Sequence, residues 1–115
     1  MSLNKGRIGE DMAAEYIEKI GMKIIDRNFR LPIGEIDIIA MDGDIIAFIE
    51  VKSRKTDKYG TPSEFVDLKK QKRILNTAEI YMKNNSLTEL QPRFDICEIY
   101  SGKSEINYIE NAFPK

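Results

Sequence analysis

The sequence predicts an α+β fold of the broad α/β class, a mixed β-sheet with helices packed against it in the order α-β-β-β-α-β-β. Three observations predict it. Two stretches repeat apolar residues at helical spacing, five others alternate or run β-branched, and Asp42-Gly43 stands between two of those strands as a hairpin signal. With 115 residues, 42% hydrophobic and 32% charged, the chain reads as one domain, 1–115, around one core.

Residues 5–20 read as a helix, with Asn4 as N-cap, Ile8, Met12, Ala13, Tyr16, Ile17 and Ile20 on its apolar stripe, and Gly21 as its stop. Residues 23–30 read as a strand that ends near Pro32, because the residue before proline resists helix. Residues 34–41 and 44–52 form the two arms of a hairpin around Asp42-Gly43. After a loop carrying Gly60 and Pro62, residues 67–84 read as a second helix. Its stripe is Leu68, Gln71, Ile74, Leu75, Ala78, Tyr81 and Met82, with lysines on the flanks and Asn84-Asn85 as its end. Residues 93–100 and 105–110 read as two further strands joined across Ser101-Gly102.

Composition excludes several chemistries. The chain has no histidine and one cysteine, which removes Ser-His-Asp and Cys-His catalysis and ordinary zinc sites. Cys97, in an apolar alternating run, reads as a buried small hydrophobe. What remains is carboxylates, lysines, arginines, hydroxyls and metals that prefer oxygen, which means magnesium or manganese chemistry or none. No apolar run is long enough to span a membrane and the N-terminus has no signal-peptide pattern, so the expected location is the cytoplasm, with no membrane partner. The net charge is −1, yet cations gather between Lys52 and Arg73. Lys52, Arg54, Lys55, Lys58, Lys69, Lys70, Lys72 and Arg73 stand there against Asp57, Glu64 and Asp67. That segment has the charge to meet phosphates, although a lysine-rich helix flank is more often plain solvated surface.

The hairpin concentrates the candidates. With Asp42 and Gly43 as the central turn residues, opposed positions sum to eighty-five, so Asp37 faces Phe48 and Glu35 faces Glu50. Glu35, Asp37, Phe48, Glu50 and Lys52 then share one face, while Ile36, Ile38, Ala47, Ile49 and Val51 share the other. Asp37 and Glu50 become diagonal neighbours, about 7–8 Å apart at the backbone, within reach of one ion. Magnesium accepts one or two carboxylates together with waters and phosphate oxygens, and Lys52 would orient a water or neutralise developing charge. Glu10 shares a helical stripe with Ala13, Ala14 and Ile17 and so points toward the sheet, as a third acidic group or as a solvated edge residue. On spacing alone a second reading stays open: these residues form the wet face of a half-exposed sheet with cross-strand ion pairs.

The run Gly34-Glu35-Ile36-Asp37, followed by Phe48-Ile49-Glu50-Val51-Lys52-Ser53-Arg54, resembles the PD-(D/E)xK nuclease superfamily. More narrowly it resembles the YraN-like endonuclease family, related to archaeal Holliday junction resolvases. Gly9-Glu10, Arg27-Asn28, Gly60, Pro62, Lys70, Arg93-Phe94-Asp95 and Asn111-Ala112-Phe113 extend the resemblance nearly end to end; the superfamily's name-giving proline is replaced by Ile36. The resemblance implies a restriction-endonuclease-like αβββαβ core with Glu10, Asp37, Glu50 and Lys52 as catalytic residues. Asp37 and Glu50, with the Val51 carbonyl, would hold Mg2+ or Mn2+, and Lys70 or Gln71 would approach the site from the second helix. DNA is the implied partner, contacted through Arg54, Lys69, Lys70, Lys72 and Arg73, with branched or structured DNA in repair or recombination as the substrate. Resolvases act as symmetric dimers, which leaves a homodimer open here. The alternative is a binding module that keeps the nuclease fold without turnover.

Overall fold

The computed structural model describes residues 3–54, 67–100 and 105–113, with backbone alone for 3–7 and 54. Lys55, Lys58, Gly60, Pro62, the Arg54 side chain and the Ser101-Gly102 connection lie outside the described residues.

Helix α1 (Leu3–Lys19) is followed by β1 (Lys23–Leu31), β2 (Gly34–Asp42), β3 (Ile45–Arg54), α2 (Leu68–Asn84), β4 (Gln91–Tyr100) and β5 (Glu105–Ile109). The α1 helix begins one residue before Asn4, so Asn4 lies in its first turn rather than capping it, a difference within the play of a helix end. It stops at Gly21, whose φ of 102° permits the reversal in which Met22 N–H bonds the Ile17 carbonyl. The α2 helix starts at an Asp67 cap whose carboxylate accepts the Lys70 N–H.

The five strands form one sheet in sequence order. All neighbours are antiparallel except β3 and β4, which run parallel because α2 carries the chain back across the sheet. Both faces are covered. Ala13, Ala14 and Ile17 of α1 pack on Ile38, Ala40, Ala47, Ile49, Cys97 and Ile99. Ile74, Ala78, Tyr81 and Met82 of α2 pack on Ile39, Ile46, Phe48, Phe94 and Ile96. A sheet buried on both sides reads as continuous apolar runs, as β3 does from Ile45 to Ile49. The helix stripes are shorter than their periodicity suggests: Ile8 and Ile20 at the ends of α1 and Leu68 at the start of α2 project past the sheet and stay exposed.

Three expectations about the hairpin are corrected. Asp42 pairs with Ile45, which leaves Gly43 and Asp44 as the central residues. Gly43 has φ of 64° while Asp44 is not left-handed, the pattern of a turn with glycine in its first central position. Opposed positions therefore sum to eighty-seven, with Ile39 level with Phe48 and Ile38 with Ile49. A change of two keeps the sides of the paired residues, and one step past the last pair, Ile38↔Ile49, the same count sets Asp37 against Glu50. Second, the face carrying Phe48 is not wet, since α2 covers it and Phe48 is buried. Third, Ile36 packs on the α2 side rather than with Ile38. The strand loses its alternation at Asp37, where the ladder to β3 ends, and on the β1 side Asn28 adopts φ of 56° between the Arg27↔Ile38 and Phe29↔Ile36 pairs.

Candidate active site

Asp37 is positioned by that break. Just beyond the last rung of the β2–β3 ladder, its Oδ2 accepts the Val51 N–H at 2.8 Å, so a side chain takes the place of the next strand bond. Glu50, on the neighbouring strand, is nearly buried beneath the first turn of α2. Its Oε2 accepts a hydrogen bond from Lys70 Nζ at 2.7 Å. The same residue's N–H is fixed by the Asp67 cap, so helix initiation and placement of the ammonium group are one event. These side chains line a cavity of about 310 Å³ with Gly34, Glu35, Arg73 and Ile74.

The electrostatics follow from this placement. Burial, and then the charge of Glu50, push the Asp37 carboxyl up to about 7, against the pull of the Val51 N–H. The Lys70 pKa is raised, chiefly by its hydrogen bond to Glu50. The Cys97 thiol, pushed up to about 12 by burial, is no nucleophile.

Glu10 approaches from α1. Its Oε1 accepts hydrogen bonds from Asn28 Nδ2 at 3.2 Å and Arg27 Nη2 at 3.3 Å, and its charge adds to the upward push on Asp37. It does not complete a ligand cluster, for among the described residues no three acidic side chains converge on one point. Lys52 lies two residues beyond Glu50, level with the buried Glu98 of β4, and is absent from the cavity lining. The ammonium group at the carboxylates is that of Lys70. Lys69, Lys72 and Arg73 are exposed on α2, and Arg73 also borders the cavity. Sequence reasoning missed Arg30 and the β1–β2 tip, which stand beside those cations in an adjoining groove. The available signal was Pro32-Ile33, a two-residue gap between apolar runs.

Asp37 and Glu50 fit a hard divalent cation. They are oxygen donors at one cavity, and a cation would offset both causes that raise the Asp37 pKa, burial of its charge first and the nearness of Glu50 second. Val51 is tied to the same point through its N–H.

The profile of the family described as "Uncharacterised protein family UPF0102" matches residues 9–99. A UPF0102 protein of Clostridioides difficile is 48% identical over 109 residues, covering 95% of this chain and 96% of its own. Another, from Alkaliphilus metalliredigens, is 45% identical over 114 residues, covering 98% of this chain and 100% of its own. A third, from Caldanaerobacter subterraneus subsp. tengcongensis, is 43% identical over 113 residues, covering 94% and 93%.

Proposed function

This chain belongs to the UPF0102 family, the YraN-like group of PD-(D/E)xK nuclease-like proteins, and we propose that it is a divalent-metal-dependent endonuclease acting on DNA. One observation carries the reading: two carboxylates on adjacent strands face a common cavity, one of them with its pKa raised to about 7, and an ammonium group stands beside them. Asp37 and Glu50, with the Val51 carbonyl, would hold Mg2+ or Mn2+. Bound there, such an ion supplies Lewis-acid polarisation of a phosphodiester and a bound water of lowered pKa.

The chain's own residues do the rest. The Val51 N–H holds the Asp37 carboxylate in one orientation. Lys70 balances Glu50 and stands where a substrate phosphate would meet positive charge. Lys52 keeps the place of active-site lysine that the resemblance gives it, to orient the attacking water or neutralise developing charge, and Glu10 biases Asp37 through its charge. Branched or otherwise structured DNA in the cytoplasm is the substrate in this reading; among the described residues no helix is long and apolar enough to cross a membrane.

The test is cleavage of linear and branched DNA by purified protein with and without Mg2+ or Mn2+. Strand scission should need the metal and vanish in Asp37→Asn and Glu50→Gln. Equal trace cleavage by wild type and both variants would identify a contaminant and end the proposal. A second reading, a binding module without turnover, draws support from the Lys70–Glu50 ion pair, which already satisfies one of the two carboxylates. It expects salt-sensitive DNA binding that ignores Asp37→Asn and weakens in Lys72→Ala.

A further inference from the structure

A groove of about 700 Å³ opens beside the acidic cavity and shares Gly34, Glu35 and Arg73 with it. One wall is α2, carrying Lys69, Lys72 and Arg73. The other is the β1–β2 tip, carrying Arg30, Pro32 and Ile33. In a chain of net charge −1 this is a concentrated share of cations. The one acid in the lining, Glu35, is engaged by Arg30 at 3.1 Å. Among the described residues Lys69, Lys72 and Arg73 have no acidic partner.

The hairpin wall adds an apolar feature. Ile33 is 44% exposed in a two-residue turn closed by the Leu31↔Gly34 pair. Proline fixes φ on one side of it. On the other, Gly34 presses against α2 so closely that a Cβ there would lie 2.6 Å from Thr77 Oγ1 and 3.1 Å from the Arg73 carbonyl oxygen. The tip is therefore held at a fixed distance from the basic helix, and Ile33 is presented without needing to be ordered on binding.

Cations alone suit any polyanion. Cations facing a fixed apolar side chain suit a strand whose bases are free of a stack, because a duplex hides its base faces and leaves only the thymine methyls of its major groove for Ile33 to meet. We infer that this groove is the track of a single DNA strand, with phosphates along Arg30, Lys69, Lys72 and Arg73 and a base against Ile33, leading to Asp37 and Glu50. The inference rests on the proposed nuclease reading for the choice of DNA and for the strand's destination, but not for the binding itself.

The test is fluorescence anisotropy of a short labelled oligonucleotide with the full chain in a metal chelator, over a salt series, beside its duplex and an RNA strand of the same sequence. The single DNA strand should bind best. For a single strand, the slope of log affinity against log salt scales with the number of phosphates neutralised, so Lys72→Ala and Arg30→Ala should each flatten it by about 0.7. Ile33→Ser should lower affinity about tenfold with the slope unchanged, since it removes apolar contact and no charge. All three positions are exposed, and thermal unfolding of each variant checks that the fold is kept. Duplex bound as tightly as the single strand, or slopes unchanged in both cation variants, would overturn the track. RNA held more tightly than DNA would overturn the choice of strand. Strand binding with these signatures but no metal-dependent cleavage would support the groove while ending the nuclease reading, and cleavage with unaltered binding slopes would do the reverse.

Discussion

Asp37 turns the geometry of one side chain into a pH dependence of the whole chain. Its carboxyl titrates near 3.8 when free and at about 7 in the folded protein, because burial and Glu50 disfavour its charge. Between those values the folded chain holds a proton that the unfolded chain has released, so stability falls as pH rises and the loss is complete above about 7. Without metal, Asp37→Asn should flatten that dependence and gain on the order of 2–4 kcal/mol at pH 8, measured by urea unfolding across pH. An equally steep profile in wild type and variant would show that Asp37 ionises freely. Lys70 is the complementary case: its ammonium is half exposed and solvent screens it, but Lys70→Ala leaves the nearly buried Glu50 carboxylate without its cation and should cost about 1–3 kcal/mol. The more telling readout is the Asp37 titration followed by carboxyl NMR, which should move further upward once that positive charge is gone.

At the level of elements, the site exists because a hairpin arm stops pairing on cue. The β2–β3 ladder ends at Ile38↔Ile49, and the freed Val51 N–H is taken by Asp37. The tip beyond it leans on α2 through Gly34. Gly34→Ala would drive a methyl group against Thr77 and the Arg73 carbonyl, and should cost roughly 1–3 kcal/mol in denaturant unfolding; no loss would show that the tip is free of the helix. Much of this framework was legible in the sequence. Helical spacing, alternation and Asp42-Gly43 gave seven elements in the right order, and side-chain parity put Asp37 and Glu50 on one side of the sheet. Register was not legible, since Asp42-Gly43 and Gly43-Asp44 are both acceptable turn centres and the choice lies in Asp42, which does not take the left-handed φ that a turn centred on Asp42-Gly43 requires. The reversal of Ile36 was hidden for a related reason: it occurs beside a left-handed Asn28 on the neighbouring strand, which β2's own pattern does not encode. Lys70 rather than Lys52 beside Glu50 is a matter of helix placement over the sheet, and spacing within one strand carries no information about that.

Across the whole molecule, the two ends of the hairpin have different duties. Toward the turn, Arg93 reaches across to Asp42 at 2.9 Å and also bonds buried Asp95, which accepts further bonds from the Tyr108 hydroxyl at 2.6 Å and from the Asn111 N–H at 2.9 Å. This network ties β4, β5 and the β2–β3 turn together, and Asp95 at its centre stands level with Ile49, one residue before Glu50 on β3. Asp95→Ala leaves a nearly buried arginine short of its main partner, and the expected cost is about 3–5 kcal/mol by thermal or chemical unfolding. A loss under about 1 kcal/mol would mean that the remaining acids near Arg93 take over. At the other end the acidic cavity opens into the basic groove, so that a nearly neutral chain presents one locally cationic edge beside two carboxylates. The account as a whole turns on whether those carboxylates share an ion. Titration of Mn2+ into the protein, followed by electron paramagnetic resonance at pH 8, reads this directly. Wild type should take up the ion at a site that is lost in both Asp37→Asn and Glu50→Gln and that weakens below pH 7 as Asp37 regains its proton. Uptake identical in all three proteins, or none in wild type, would contradict it.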